Sequence, residues 1–120
     1  MKKYDLEERL IEFSVSIIEI TKKMSKTYAG GHLAKQMLRS GTSVSLNYGE
    51  AQSAESRKDF VHKMKIILKE LRETMVCLKI IQKTMLCPSS SKLDKALKEN
   101  NELISIFVKS IETAQKNMKL

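Results

Sequence analysis

The most ordered chemistry in this sequence is cationic. Lys58, His62, Lys65, Lys69, Arg72, Lys79 and Lys83 follow one another at spacings of 4-3-4-3-7-4. At 100° per residue, that spacing gathers them on one face of a helix, roughly opposite its apolar stripe. Like charges three or four positions apart repel by ~0.3 kcal/mol per pair. Such a row suggests an anionic partner, and phosphate backbones are the commonest. The candidate phosphate contacts are therefore Lys58, Lys65, Lys69, Arg72, Lys79 and Lys83. The competing reading is a solvated basic face, partly neutralised by Glu70 and Glu73 of the same segment.

A second ordered set is polar rather than basic. Gln36, Arg39, Ser43, Asn47 and Glu50 are spaced 3-4-4-3 and flank an apolar stripe by about a quarter turn. At the edge of a core, Arg39 needs a carboxylate, because an unpaired buried charge is costly. Glu50 and Glu70 are the candidates. The row is either a hydrogen-bonded seam between helices or subunits, or a pocket or RNA-contacting row.

Other chemistry is missing. His32 and His62 lie 30 residues apart, with no cysteine or carboxylate at metal-ligand spacing. No Glu-x-x-His pair, Ser-His-Asp set or Gly-x-Ser-x-Gly elbow occurs. Lys69-Glu70 and Arg72-Glu73 read as surface ion pairs. The expectation is no enzyme, no metal and no cofactor. Phe13, Phe60 and Phe107 fall on apolar stripes, which leaves Tyr4, Tyr28 or Tyr48 to stack a base. Any nucleic acid would then be read by its phosphates and shape.

The elements that position these residues follow from periodicity. With 120 residues the chain fits one domain, 1–120, and with 4 Gly and 1 Pro it lacks the turns of a β-sandwich. Four segments have helical rhythm and none alternates like a strand. The first, about Asp5 to Lys26, carries Leu6, Leu10, Phe13, Ile17, Ile20 and Met24, with an acidic cap at Asp5 and Lys22, Lys23 and Lys26 in its last turn. The second, about Gly31 to Ser53, carries Leu33, Met37, Val44, Tyr48 and Ala51. Gly41 and Gly49 interrupt it, as expected for close packing against a neighbour. The third, Arg57 to about Leu86, opens on a capping box at Ser56 and carries Phe60, Met64, Ile67, Leu71, Leu78, Ile81 and Met85. A loop at Cys87-Pro88-Ser89-Ser90-Ser91 follows. The fourth, Lys92 to about Met118, is capped at Ser91 and carries Leu93, Leu97, Leu103, Phe107, Ile111, Ala114 and Met118. Four such segments with short connections predict an all-α, up-down four-helix bundle.

Charge and leftover apolar positions bear on partners. The net charge is +8, and residues 56–87 alone contribute +5, so the excess is concentrated on the third helix. Ile11, Val15, Ile18, Leu38, Leu46, Val76, Ile80, Ile104 and Ile106 lie off the main stripes and could build a subunit interface. Cys77 and Cys87 read as reduced core or near-core thiols. The start of the chain becomes charged where a signal peptide would turn apolar, and no window is apolar enough to span a membrane. A cytoplasmic location is the expectation.

Two stretches carry a family resemblance. Gln36-Met37-Leu38-Arg39-Ser40-Gly41-Thr42-Ser43-Val44-Ser45-Leu46-Asn47-Tyr48-Gly49-Glu50-Ala51 resembles the signature of the four-helix-bundle family of ribosomal-RNA intervening-sequence proteins. Arg39, Ser43, Asn47 and Glu50 match its pattern in order and spacing. The stretch Ser56 to Leu78, with Arg57-Lys58-Asp59-Phe60 and Leu68-Lys69-Glu70-Leu71-Arg72-Glu73-Thr74, is similar to the family's third helix. The resemblance runs from about Leu6 to Ala114. It departs at Ala51, where many members carry Gly, and at Cys77, near a position where members often carry Trp.

The resemblance implies an up-down bundle assembled as a ring-like homopentamer, with no catalytic activity. Some members are encoded within insertions in large-subunit ribosomal RNA genes. A related branch, the accessory variability determinant of diversity-generating retroelements, is basic and works with a reverse transcriptase and nucleic acid. Two functions stand beside each other. One is a non-catalytic homo-oligomer that binds RNA, or less readily DNA, through phosphates. The other is a scaffold or adaptor for a nucleic-acid-processing protein, with no nucleic-acid contact of its own.

Overall fold

The structure, a computed structural model, describes residues 3–118, with side chains from Leu6 onward. Its elements are α1 (Lys3–Thr21), α2 (Tyr28–Gln52), α3 (Arg57–Thr84) and α4 (Ser91–Met118). Consecutive helices pack against one another, and α4 closes back onto α1. Short connections make the neighbours antiparallel, giving an up-down four-helix bundle with extents of 51 × 24 × 21 Å. Strands are absent among the described residues.

The apolar stripes meet along the axis. Leu10, Ile17, Met37, Val44, Ile67, Leu71, Leu78, Ile81, Leu103 and Phe107 are fully buried. The Tyr48 ring meets Phe107 edge-on across the bundle, with centroids 6.1 Å apart. This takes Tyr48 away from any base-stacking role. Phe60 is only half-buried, and Tyr4 lies outside the residues whose side chains are described.

Helix ends differ from the expectation in instructive ways. α1 begins at Lys3, ahead of the cap expected at Asp5, and stops at Thr21. Beyond it the chain tightens, with Met24 N–H bonded to the Thr21 carbonyl and the Met24 side chain turned into the core. Lys22, Lys23 and Lys26 therefore fall outside the last turn they were expected to occupy. Thr27 caps α2 by accepting from Gly30 N–H at 3.1 Å, so this helix starts three residues before Gly31. Ser56 caps α3 as predicted, accepting from Asp59 N–H at 3.0 Å. The α4 cap is Ser90 rather than Ser91, its hydroxyl accepting from Leu93 N–H at 3.3 Å.

Met85, expected on the core stripe, instead ends α3 in the left-handed conformation (φ 59°) and is exposed. The reversal swings Met85 outward and Cys87 inward. It also lets the Leu86 carbonyl accept from Ser25 N–H at 2.7 Å, tying the α1–α2 and α3–α4 connections together.

Small and polar residues set the helix approaches. At Gly41 an added Cβ would lie 2.8 Å from Ile17 Cγ2, so α1 and α2 touch there. Ser14 reinforces the contact by donating to the Gly41 carbonyl at 2.9 Å and bonding the Ser45 hydroxyl at 2.7 Å. Gly49 does not repeat this role, since nothing lies within 4 Å of where its Cβ would be. Between α3 and α4, the buried Asn100 amide donates to the Leu71 carbonyl at 3.0 Å and accepts from Met75 N–H at 3.1 Å.

Two predictions follow from this packing. Gly49→Ala raises stability by about 0.5–1 kcal/mol, because it adds helix propensity in open space. Gly41→Ala lowers it by about 1–3 kcal/mol, because the branched Ile17 side chain cannot step aside freely. Urea unfolding of the two variants measures both, and opposite signs are the expected result. Burial raises the pKa of the Cys77 and Cys87 thiols, which are free and enclosed. Both should resist Ellman's reagent in the native protein and react on unfolding, so prompt native labelling of either would contradict the packing described.

Candidate nucleic-acid interface

The site is built on α3, whose two sides are assigned different work. Its inward side carries Met64, Ile67, Leu71, Leu78 and Ile81. Its outward side carries Lys58, His62, Lys65, Lys69, Arg72, Lys79 and Lys83, all exposed. The helix rises about 1.5 Å per residue, so Lys58 to Lys83 spans about 38 Å. That is close to one turn of B-form duplex, about 34–36 Å.

The α3 carboxylates do not neutralise this row. Glu70 is buried on the side facing α2 and accepts from Arg39 Nη1 at 2.8 Å. Arg39 Nη2 donates to Glu73. The guanidinium thus spans both carboxylates. Their hydrogen bonds, Glu73 first and then Glu70, raise the Arg39 pKa. The expected Lys69–Glu70 and Arg72–Glu73 surface pairs are not formed. Among the described residues, none of Lys58, Lys65, Lys69, Arg72, Lys79 and Lys83 has a carboxylate oxygen within 4.0 Å.

The polar row of α2 is the other half of this arrangement. Ser43 donates to Glu70 Oε2 at 2.9 Å, on the oxygen that Arg39 also holds. Asn47 Nδ2 donates to the Ser43 carbonyl at 2.9 Å. Deeper in, Ser40 and Thr74 share a hydrogen bond of 2.7 Å, and Thr74 donates to the Glu70 carbonyl at 2.8 Å. Glu50 turns to Lys63 at 2.7 Å rather than to Arg39. Gln36 is exposed and outside the network. Arg39 and Ser43 thus cross the α2–α3 seam to Glu70 and Glu73, Glu50 crosses it separately to Lys63, and Asn47 bonds within α2.

Two features of the outer face escaped the sequence reading. Val76 and Ile80, assigned there to a subunit interface, stand among the cations and are exposed. Val76 is four residues after Arg72 and three before Lys79, so it fills the gap in the 4-3 rhythm. The row is therefore a long block, Lys58 to Arg72, and a short one, Lys79 and Lys83. At the start of the long block, Lys58, His62 and Lys65 line a notch of about 460 Å³ with Val61, Gln115 and Met118. The notch brings in α4, which spacing within α3 cannot reveal.

The remaining apolar positions divide. Ile104 and Ile106 pack against the core, whereas Ile11, Val15, Ile18, Leu38 and Leu46 are exposed. Among the described residues no cluster of three metal-capable side chains occurs, and no helix is long and apolar enough to cross a membrane.

Fold and site together define a basic, all-helical bundle with a polar α2–α3 seam and a cationic outer α3 face. The chain belongs to the 23S rRNA-intervening sequence protein family, whose model matches residues 2–109. It is also similar to a solved structure from Bacteroides thetaiotaomicron VPI-5482, described as a protein with unknown function from the S23 ribosomal protein family. That likeness has 30% identity and a TM-score of 0.79, and covers 88% of this chain and 96% of that one. No curated protein matches the sequence.

The seam geometry makes a prediction. Arg39 is half-exposed but its partner Glu70 is buried. Arg39→Ala strands that carboxylate and should lower unfolding stability by about 1–3 kcal/mol, below the full cost of breaking an enclosed pair. Urea unfolding measures the loss, and a variant as stable as the parent would show that Glu70 does not depend on the guanidinium.

Proposed function

We propose that this protein is a non-catalytic, homo-oligomeric nucleic-acid-binding bundle that grips phosphates, of RNA in preference to DNA, through the outer face of α3. The observation that carries this reading is the unneutralised row of Lys58, Lys65, Lys69, Arg72, Lys79 and Lys83. Glu70 and Glu73, the carboxylates that α3 carries beyond its first turn, are held by Arg39 on the other side. A monomer offers few phosphate contacts. A ring-like homopentamer, the assembly the family resemblance implies, repeats the row and gains affinity by avidity. The fully exposed Tyr28 is the one described tyrosine open to a base, so phosphate and shape readout is favoured over sequence readout. The proposed compartment is the cytoplasm, with no membrane association.

A specific observation favours the second reading, a scaffold for a nucleic-acid-processing protein. Ile11, Val15 and Ile18 of α1 lie level with Leu46, Thr42 and Leu38 of antiparallel α2, around the Ser14–Gly41–Ser45 contact. They form one aliphatic face, larger than scattered surface residues require. A second copy or a partner protein would cover it.

Fluorescence anisotropy with structured RNA and duplex DNA at several salt concentrations tests the first reading. Each phosphate neutralised contributes about −0.9 to the slope of log K against log salt for duplex DNA. Lys65→Glu with Lys69→Glu and Arg72→Glu should abolish tight binding, and any residual slope should be shallower by about 3. Salt-independent binding, or none near physiological salt, would leave α3 a solvated face and favour the scaffold. Val15→Glu with Leu46→Glu, followed by sedimentation velocity, should yield smaller species if copies meet through the aliphatic face.

A further inference from the structure

The nucleic-acid reading leaves one sizeable cleft of the molecule unused. It lies at one end of the bundle, where the last turns of α2 meet the start of α3 and the C-terminal half of α4. Its volume is about 690 Å³, within the roughly 300–1,000 Å³ that small-molecule sites occupy. Leu6, Phe60, Met64 and Ile106 make its apolar floor. None of these belongs to the outer α3 row.

Three polar features converge on that floor. The Gln52 amide nitrogen is buried and has no well-aligned hydrogen-bond partner among the described residues. It lies beside the Tyr48 hydroxyl, whose pKa is raised by burial and, to a lesser degree, lowered by the Gln52 side chain. Arg57 and Lys109 supply two cations at the rim, neither with a carboxylate oxygen within 4.0 Å among the described residues. Ser110 and Thr113 add hydroxyls from α4. Glu7 acts on Tyr48 and Glu55 lines the neighbouring hollow, but neither lines the cleft.

A buried donor without an acceptor costs about 1–3 kcal/mol and is seldom kept without a use. The Gln52 side chain lines an apolar space rimmed by positive charge. We propose that this cleft binds a small amphipathic carboxylate, with the apolar body on Phe60, Met64 and Ile106 and the carboxylate accepting from Gln52 Nε2 beneath Lys109 and Arg57. A polyanion is a poor fit, because the rim offers two cations over a mainly apolar floor. The Arg57 fork suits a carboxylate, which it can meet with two parallel N–H donors.

The test uses 8-anilino-1-naphthalenesulfonate as a fluorescent probe on the full chain, which has no tryptophan to interfere. Probe binding should saturate at one molecule per chain and be reversed by decanoate at least tenfold more effectively than by decanol. Lys109→Glu and Gln52→Leu should each weaken decanoate at least tenfold. Gln52→Leu nearly keeps the side-chain volume, so a melting temperature close to the parent's separates loss of binding from loss of fold. Equal competition by decanoate and decanol would overturn the proposal, as would variants that bind like the parent or an absence of saturable binding. Binding of RNA through α3 is independent of every one of these outcomes.

Discussion

Arg39 crosses from α2 to α3 and takes up both carboxylates that α3 carries beyond its first turn. Much else depends on that one guanidinium. It compensates Glu70, which would otherwise be a carboxylate buried against α2 with only the Ser43 hydroxyl for company. It fixes the register of the two helices, because a fork that meets Glu70 and Glu73 together tolerates little sliding. It also removes negative charge from the opposite side of α3. A lysine at this place could not serve two carboxylates in a fixed plane, so the charge separation rests on arginine geometry as well as on charge.

The α1–α2 contact works by a different principle. Gly41 makes room for the Ile17 side chain, and the Ser14–Ser45 pair bonds beside it, so the two helices approach closely along this line. The aliphatic residues beside that line, Ile18 with Leu38 and Ile11 with Leu46, are then left on the outside of the helix pair. Close approach within the bundle and an apolar exterior are thus two results of the same small residues. Asn100 supplies the corresponding polar contact between α3 and α4, bonding a carbonyl and an amide of the facing helix where a leucine would bond neither.

Much of the fold was legible because helix rhythm is a repeated signal. The spacing of Leu10, Phe13 and Ile17, or of Met64, Ile67 and Leu71, leaves only one face to bury. Side-chain caps at helix starts were legible to within a residue where a serine preceded the run, as at Ser56 and Ser90. Events that depend on a single residue were not. Met85 continues the apolar rhythm in sequence, yet its left-handed backbone ends α3 and exposes it. Gly41 and Gly49 look alike in sequence, yet only Gly41 faces a neighbour. The cation row was visible because it lies within one helix. The partner of Arg39 could be narrowed only to Glu50 or Glu70, because choosing between them requires the α2–α3 register. Asn100 had a readable signal, since it falls three residues before Leu103 and seven before Phe107 on the buried stripe. The end cleft had none, because its lining comes from all four helices.

The two surface features occupy different parts of the bundle, and that separation constrains any assembly. The aliphatic face lies on α1 and α2, around Val15 and Leu46, and the cationic face lies on the outer side of α3. Joining copies through the α1–α2 face covers the side chains that water disfavours and leaves each α3 row accessible. Joining copies through α3 would bring like charges together at close range, which costs energy unless an anion lies between them. Electrostatics and apolar burial therefore favour the same arrangement, with the α3 rows left open to an anionic polymer. The exposed Val76 and Ile80 fit this view, because they break the row without offering an aliphatic surface as broad as that on α1 and α2.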